Sequence, residues 1–197
     1  MKTIALVYYS GSGATHQMAE AIAQGAKTHP GIQVMRYRIA GEAIERGRLS
    51  DPDLFASLQQ ADAIVFGSPT YMGGPAAQFK AFADASSDSW SGQGWRNKLA
   101  AGFTVGGSLG GEQDSTLNYL FVLAMQHGML WVGMDMPNGY EDKSINPLGR
   151  QLGASGHTPN GDLSEADLTT AAHLGKRVAA LLQTQPVVIS TPAPTLT

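Results

Sequence analysis

Residues Lys2 to Ala23, KTIALVYYSGSGATHQMAEAIA, decide how the rest of the chain is read. Lys2 to Tyr9 is a short, nearly continuous apolar run with β-branched and aromatic members, the pattern of a strand buried on both faces. It stops at Ser10-Gly11-Ser12-Gly13, after which Met18, Ile22 and Ala26 recur at helical spacing with Ala19 and Ala23 beside them. Strand, glycine loop and helix in that order open a parallel α/β sheet.

The same alternation continues along the chain. Gln33 to Ile39, Asp62 to Gly67, Leu99 to Val105 and Met129 to Met134 read as four more strands. Between them, Asp51-Pro52 marks the start of a short helix carrying Leu54, Leu58 and Ala61. Pro75 suits the first turn of a helix with Phe79, Phe82 and Ala83 on one face, and Leu117, Leu120, Phe121 and Ala124 mark another. Ser164-Glu165-Ala166-Asp167 resembles a capping box opening a last helix with Leu168, Ala172, Ala179 and Leu182 inward. Right-handed crossovers then cover both faces of one sheet, so the class is a doubly wound α/β domain over residues 1–185. Residues 186–197, with Pro186, Pro192 and Pro194, read as an extended or disordered tail. The stretch Pro137 to Asp162, rich in Gly, Asn and Pro, reads as one long loop of the functional kind.

Composition narrows the chemistry. The 197 residues are 43% apolar and 15% charged, which suits one soluble globular domain rather than a disordered chain. A formal net charge of −3 is too balanced to hold a polyanion, which argues against a nucleic-acid partner. The absence of cysteine removes thiolate catalysis and iron–sulfur ligation. The apolar start is too short for a signal peptide and no run approaches a membrane span, so the expected location is the cytoplasm, without membrane association. His16, His29, His157 and His173 are too scattered to suggest a metal.

In an open α/β sheet the ligand sits beyond the carboxyl ends of the strands. The loop Ser10-Gly11-Ser12-Gly13-Ala14-Thr15 offers hydroxyls and helix N-terminal amides, which bind phosphate without a basic side chain. It lacks the Gly-Lys-Ser/Thr ending of a P-loop and the third glycine of the dinucleotide fingerprint; by itself it reads equally well as a tight turn. Ser68-Pro69-Thr70-Tyr71-Met72-Gly73-Gly74-Pro75 presents an aromatic face, a thioether and peptide groups suited to a flat heteroaromatic ring. Gly106-Gly107-Ser108-Leu109-Gly110-Gly111 lets backbone approach a ligand closely. A phosphate at one end and a planar ring at the other is the shape of flavin mononucleotide (FMN).

The strings YYSGSGATHQMAEAIAQGA, FGSPTYMGGPAAQFKAF and LAMQHGM resemble the flavodoxin-like superfamily, and most closely its WrbA-type NAD(P)H:quinone oxidoreductases, related to NADPH-dependent FMN reductases. The resemblance covers roughly Lys2 to Met134. It implies a five-stranded sheet of order 2-1-3-4-5 that binds FMN, with NADPH or NADH as electron donor and a quinone-like small molecule as acceptor. By position it implies phosphate contacts at Ser10, Ser12, Gly13, Ala14 and Thr15. Ring contacts fall in the second loop, Pro69, Thr70, Tyr71, Met72 and Gly73, and the ring's other edge meets Gly106, Gly107, Ser108 and Gly110. It further implies that His127 faces the ring as the catalytic donor, that Trp90 lines the quinone pocket, and that the protein is a homodimer or homotetramer. Spacing alone reads His127 as a structural histidine after a helix. Ser12 stands where these quinone reductases often carry tyrosine, and Tyr71-Met72 replaces a common Arg-Phe pair.

Three other readings are compatible with parts of the pattern. An electron-carrying flavodoxin would use the same cofactor site, although a charge of −3 gives little steering toward redox partners. Gly106-Gly107-Ser108-Leu109-Gly110 satisfies the G-x-S-x-G of a serine hydrolase, with Asp135 and His157 or His173 in the required chain order. A non-catalytic module that keeps the fold for binding is the third.

Overall fold

The computed structural model describes residues 1–138 and 145–184. The expected tail at 186–197 lies outside the described residues, as does 139–144 within the expected long loop.

The elements follow in the order β1 (Lys2–Tyr8), α1 (Ala14–Lys27), β2 (Ile32–Arg38), β3 (Ile44–Glu45), β4 (Arg48–Leu49), α2 (Pro52–Gln60), β5 (Ala63–Tyr71) and β6 (Gly74–Pro75). There follow α3 (Ala77–Ala85), α4 (Ser87–Ser91), β7 (Leu99–Gly106), α5 (Gln113–Gln126), β8 (Leu130–Trp131), β9 (Ala154–His157) and α6 (Glu165–Thr184). The main sheet runs β2-β1-β5-β7-β8, all parallel, with β9 also pairing β7. This is the order 2-1-3-4-5. No helix among the described residues is long and apolar enough to cross a membrane.

Alternation along β1 builds two cores. Ile4, Leu6 and Tyr8 face α1 and α6 with Met18, Ile22, Leu174 and Val178. Ala5 and Val7 face the other layer, where Leu54, Leu58, Phe66, Phe79, Phe82, Trp95, Leu117 and Leu120 pack. The helix pair α1 and α6 is drawn close by two glycines: a Cβ at Gly25 would lie 1.9 Å from Ala172 O, and one at Gly175 would lie 2.0 Å from Ile22 O.

Four expectations change in detail. The third strand does not stop at Gly67 but runs on to Tyr71 and folds back through β6, so Pro75 is paired with Thr70 rather than opening a helix. The expected fifth strand shrinks to β8, and β9 takes over the edge of β7 from Phe103 onward. Ala-Ser-Gly-His carries little apolar signal, so nothing local distinguishes β9 from the loop around it. The inward face of α6 is Ala171, Leu174, Gly175, Val178, Ala179 and Leu182, with Leu168 and Ala172 only half-buried. Its capping box forms with Asp167: Asp167 N donates to Ser164 Oγ at 3.1 Å and Ser164 N donates to Asp167 Oδ2 at 3.2 Å.

Candidate functional site

Parallel β1, β5 and β7 are neighbours, so their carboxyl ends form one edge and the three glycine-bearing loops leave from it. The helix after β1 packs on one face and the helix after β5 on the other, which opens a crevice between these two strands.

The first loop is built to receive an anion. Gly13, at φ 103°, is the N-cap of α1; the helix start has no side-chain cap and no acidic residue in its first turn. Ser10 is buried, and its Oγ accepts from Gly13 N and His16 N at 3.2 Å each, which folds the loop around it. The N–H groups of Ser12, Ala14 and Thr15 take no partner among the described residues, and the helix dipole makes such groups attractive to negative charge. Sequence reasoning missed one basic residue here. Arg38, the last residue of β2 and the register partner of Tyr8, donates from Nη2 to Ser10 O at 2.6 Å. Its signal was its place at the end of the strand beside β1.

The second loop touches the first. A Cβ on Gly11 would lie 2.5 Å from the Tyr71 hydroxyl, so glycine there is what lets Tyr71 close over the first loop. Met72 at φ 48° and Gly73 at φ 79° form the two-residue turn between paired Tyr71 and Gly74, the left-handed combination that suits a tight hairpin. Pro69 is buried inside β5. The Thr70 hydroxyl lies 2.9 Å from Thr104 Oγ1 and 2.8 Å from Thr116 Oγ1, which engages it inside the chain and leaves the peptide groups of Thr70 for a ring.

The third loop is open. A Cβ at Gly107 or Gly110 meets nothing within 4 Å, whereas one at Gly106 would collide with Gln113 Nε2 at 2.4 Å. Beyond this loop, on the β9 side, lies a cleft of about 370 Å³ whose lining includes Leu109, Leu148, His157, Asp162 and Asp167. Its two carboxylates make it unsuited to a phosphate. The uncapped helix start and the open glycine edges therefore fit FMN on the β1–β5 side.

Two expected site residues are elsewhere. His127 follows α5, a fourteen-residue helix that carries it about 20 Å from the third loop to the opposite edge of the sheet. There it is 2% exposed, stacked on Trp95 with ring centroids 4.1 Å apart, and its Nε2 lies 2.9 Å from Ser86 Oγ. Burial pushes its pKa down to about 4. Within one chain His127 thus stands apart from the three loops. Trp90, on α4, is at that same far edge and is 41% exposed.

The hydrolase constellation does not assemble. Among the described residues no histidine hydrogen-bonds to Ser108 Oγ. Asp135 is engaged by His173 Nε2 and Arg177 Nη1, each at 2.6 Å. Burial alone would raise its pKa, but the His173 hydrogen bond and the Arg177 charge hold it below the usual range.

Comparison with known proteins agrees with this geometry. The profile described as NADPH-dependent FMN reductase matches residues 1–136. The chain belongs to the NADPH-dependent FMN reductase family. Within reach of this family, it is 36% identical to flavodoxin FldP of Pseudomonas aeruginosa over 191 residues, covering 93% of this chain and 98% of the relative. It is 31% identical to an NAD(P)H dehydrogenase (quinone) of Geotalea uraniireducens, covering 90% of this chain and 96% of that one. The crystal structure of a flavodoxin, WrbA-like protein from Agrobacterium tumefaciens superposes with a TM-score of 0.73 at 41% identity, covering 93% of this chain and 98% of that one.

Proposed function

We propose that this member of the FMN reductase family is an FMN-dependent oxidoreductase that draws two electrons from NADPH or NADH and delivers them to a quinone-like acceptor. The observation that carries this reading is the uncapped, acid-free start of α1 facing Tyr71 across the strand crevice. Bound FMN supplies the two-electron chemistry, accepting hydride from a nicotinamide and passing the electrons on. The protein supplies position and electrostatics. The amides of Ser12, Ala14 and Thr15 hold the phosphate, with hydroxyls of Ser10, Ser12 and Thr15 and the backbone of Gly13 completing the cradle. Arg38 adds positive charge behind Ser10. Tyr71, Met72 and Gly73 wall the ring, and the backbone of Gly106, Gly107, Ser108 and Gly110 meets its far edge.

The quinone reductase relatives support an acceptor of that class. Since Trp90 is on the edge opposite the loops of its own chain, its role in an acceptor pocket requires a second copy, in a homodimer or homotetramer. His127, buried behind Ser86, would shape that edge rather than touch the ring. A cytoplasmic location suits an enzyme that draws on NAD(P)H.

An absorption spectrum of the purified protein tests the reading: flavin bands that bleach under anaerobic NADPH and return with a quinone are expected. A colourless protein that ignores added FMN defeats it. The flavodoxin relative favours a second reading, an electron carrier, and bands that persist under both NADPH and NADH would select it. Arg38→Ala is expected to weaken FMN about tenfold and riboflavin little, measured by fluorescence titration, since it loses one charge-assisted contribution near the phosphate.

A further inference from the structure

The third loop is held from behind by a side chain that no motif singles out. Arg150 lies between β8 and β9. Its Nη2 donates to Leu109 O and to Gln113 Oε1, both at 2.9 Å, and its Nη1 meets Asp114 Oδ2 at 2.5 Å. Fully buried Gln113 extends the tie, donating from Nε2 to Ser108 O at 2.5 Å. Arg150 is itself braced: its N–H donates to Asn146 Oδ1 at 3.0 Å, and buried Asn146 donates to Thr170 Oγ1 of α6 at 2.7 Å and to Met136 O at 2.9 Å. The Arg150 side chain is 11% exposed against 65% for Asp114, so the fork is set against the loop rather than forming a solvated surface pair.

A geometric consequence follows from peptide planarity. In a trans peptide the carbonyl of one residue and the N–H of the next point in opposite directions. Drawing Ser108 O and Leu109 O toward Gln113 and Arg150 turns the N–H groups of Leu109 and Gly110 the other way. Arg150 comes from the segment between β8 and β9, two strands on the side of β7 away from β5, and a Leu109 carbonyl drawn to that side leaves the Gly110 N–H for the β5 side, with the Leu109 N–H set by the Ser108 tie to Gln113. Neither takes a partner among the described residues.

We propose that Arg150 is a positioning residue for the flavin: it aims the Leu109 and Gly110 amides at the edge of the ring. This rests on the FMN reading above. Aimed N–H dipoles favour whichever state carries more negative charge, so Arg150 stabilises reduced FMN more than oxidised FMN.

Arg150→Met is expected to weaken oxidised FMN about threefold and reduced FMN about thirtyfold. That tenfold difference lowers the two-electron midpoint potential by about 30 mV. Amide hydrogen exchange in 107–112 is expected to rise at least tenfold in the apoprotein, a readout that needs no flavin. Arg150→Lys, which keeps the charge and loses the fork, should fall between the two. Asp114→Asn, which leaves the loop carbonyls tied, should stay within twofold of the original. Faster exchange with unchanged affinities and potential would overturn the flavin role, as would unchanged exchange or full recovery by lysine. Original protein that binds no FMN would instead overturn the cofactor reading, and this proposal with it.

Discussion

Met72 combines a left-handed backbone with complete exposure at the tip of the β5–β6 hairpin. A side chain other than glycine or asparagine costs of order 1 kcal/mol at such a position, and no packing on the chain itself offsets it. Met72→Asn is therefore expected to raise the melting temperature by about 2–4 °C, as about 1 kcal/mol does for a domain of this size. The same change should weaken FMN severalfold if Met72 is kept for the ring; a destabilised variant would refute the strain. His127 gives a pH signature. Its pKa falls from 6.5 to about 4 on burial, so the folded state holds it neutral while the unfolded chain binds the proton. Its contribution is then fully present above pH 6.5 and is lost as pH falls through 4, about 3 kcal/mol in all. Melting curves from pH 7.5 to 4.5 should show this loss, and His127→Gln should flatten it.

Among the elements, α1 and α6 cross where neither backbone leaves room for a Cβ. Gly175→Ala must push the helices apart or bend one, at a cost of about 2–3 kcal/mol by the measure of overpacked cores. Chemical denaturation would register this as a lower midpoint at unchanged slope; an equal midpoint would mean that the pair has slack. The elements also separate what short patterns reveal from what they hide. The loop from Ser10 to Thr15 is legible because phosphate binding depends on neighbours within six residues. The strand β9 is not, because its pairing with β7 is decided by an edge that β8 leaves vacant. Arg38 offers no more than its place at the end of a strand and Arg150 offers no signal at all, since each meets its loop across a long chain separation.

At the scale of the whole molecule, the second half of α5 carries apolar residues on its outward side as well as its inward one. Val122 and Met125 are exposed there, with Leu130 of β8 at its foot, on the edge that carries Trp90. Exposed apolar residues gathered on one edge call for cover. Val122→Glu combined with Met125→Glu is expected to turn an oligomer into monomers in sedimentation velocity, with FMN retained and quinone reduction reduced at least tenfold. A double variant that remains oligomeric, or an original protein that is monomeric throughout, would count against subunit closure of the site.

Apolar runs, their spacing and the glycine loops by themselves determined the doubly wound sheet and the edge where a phosphate and a flat ring belong, and the family resemblance added the order of the strands. These depend on local periodicity, and parallel connections leave few ways to arrange them. Only the tertiary structure decided that His127 and Trp90 stand apart from the loops of their own chain, and that Arg38 and Arg150 stand behind those loops. Such placements depend on where a helix ends in space and which distant segments share an edge, and no run of neighbouring residues encodes that.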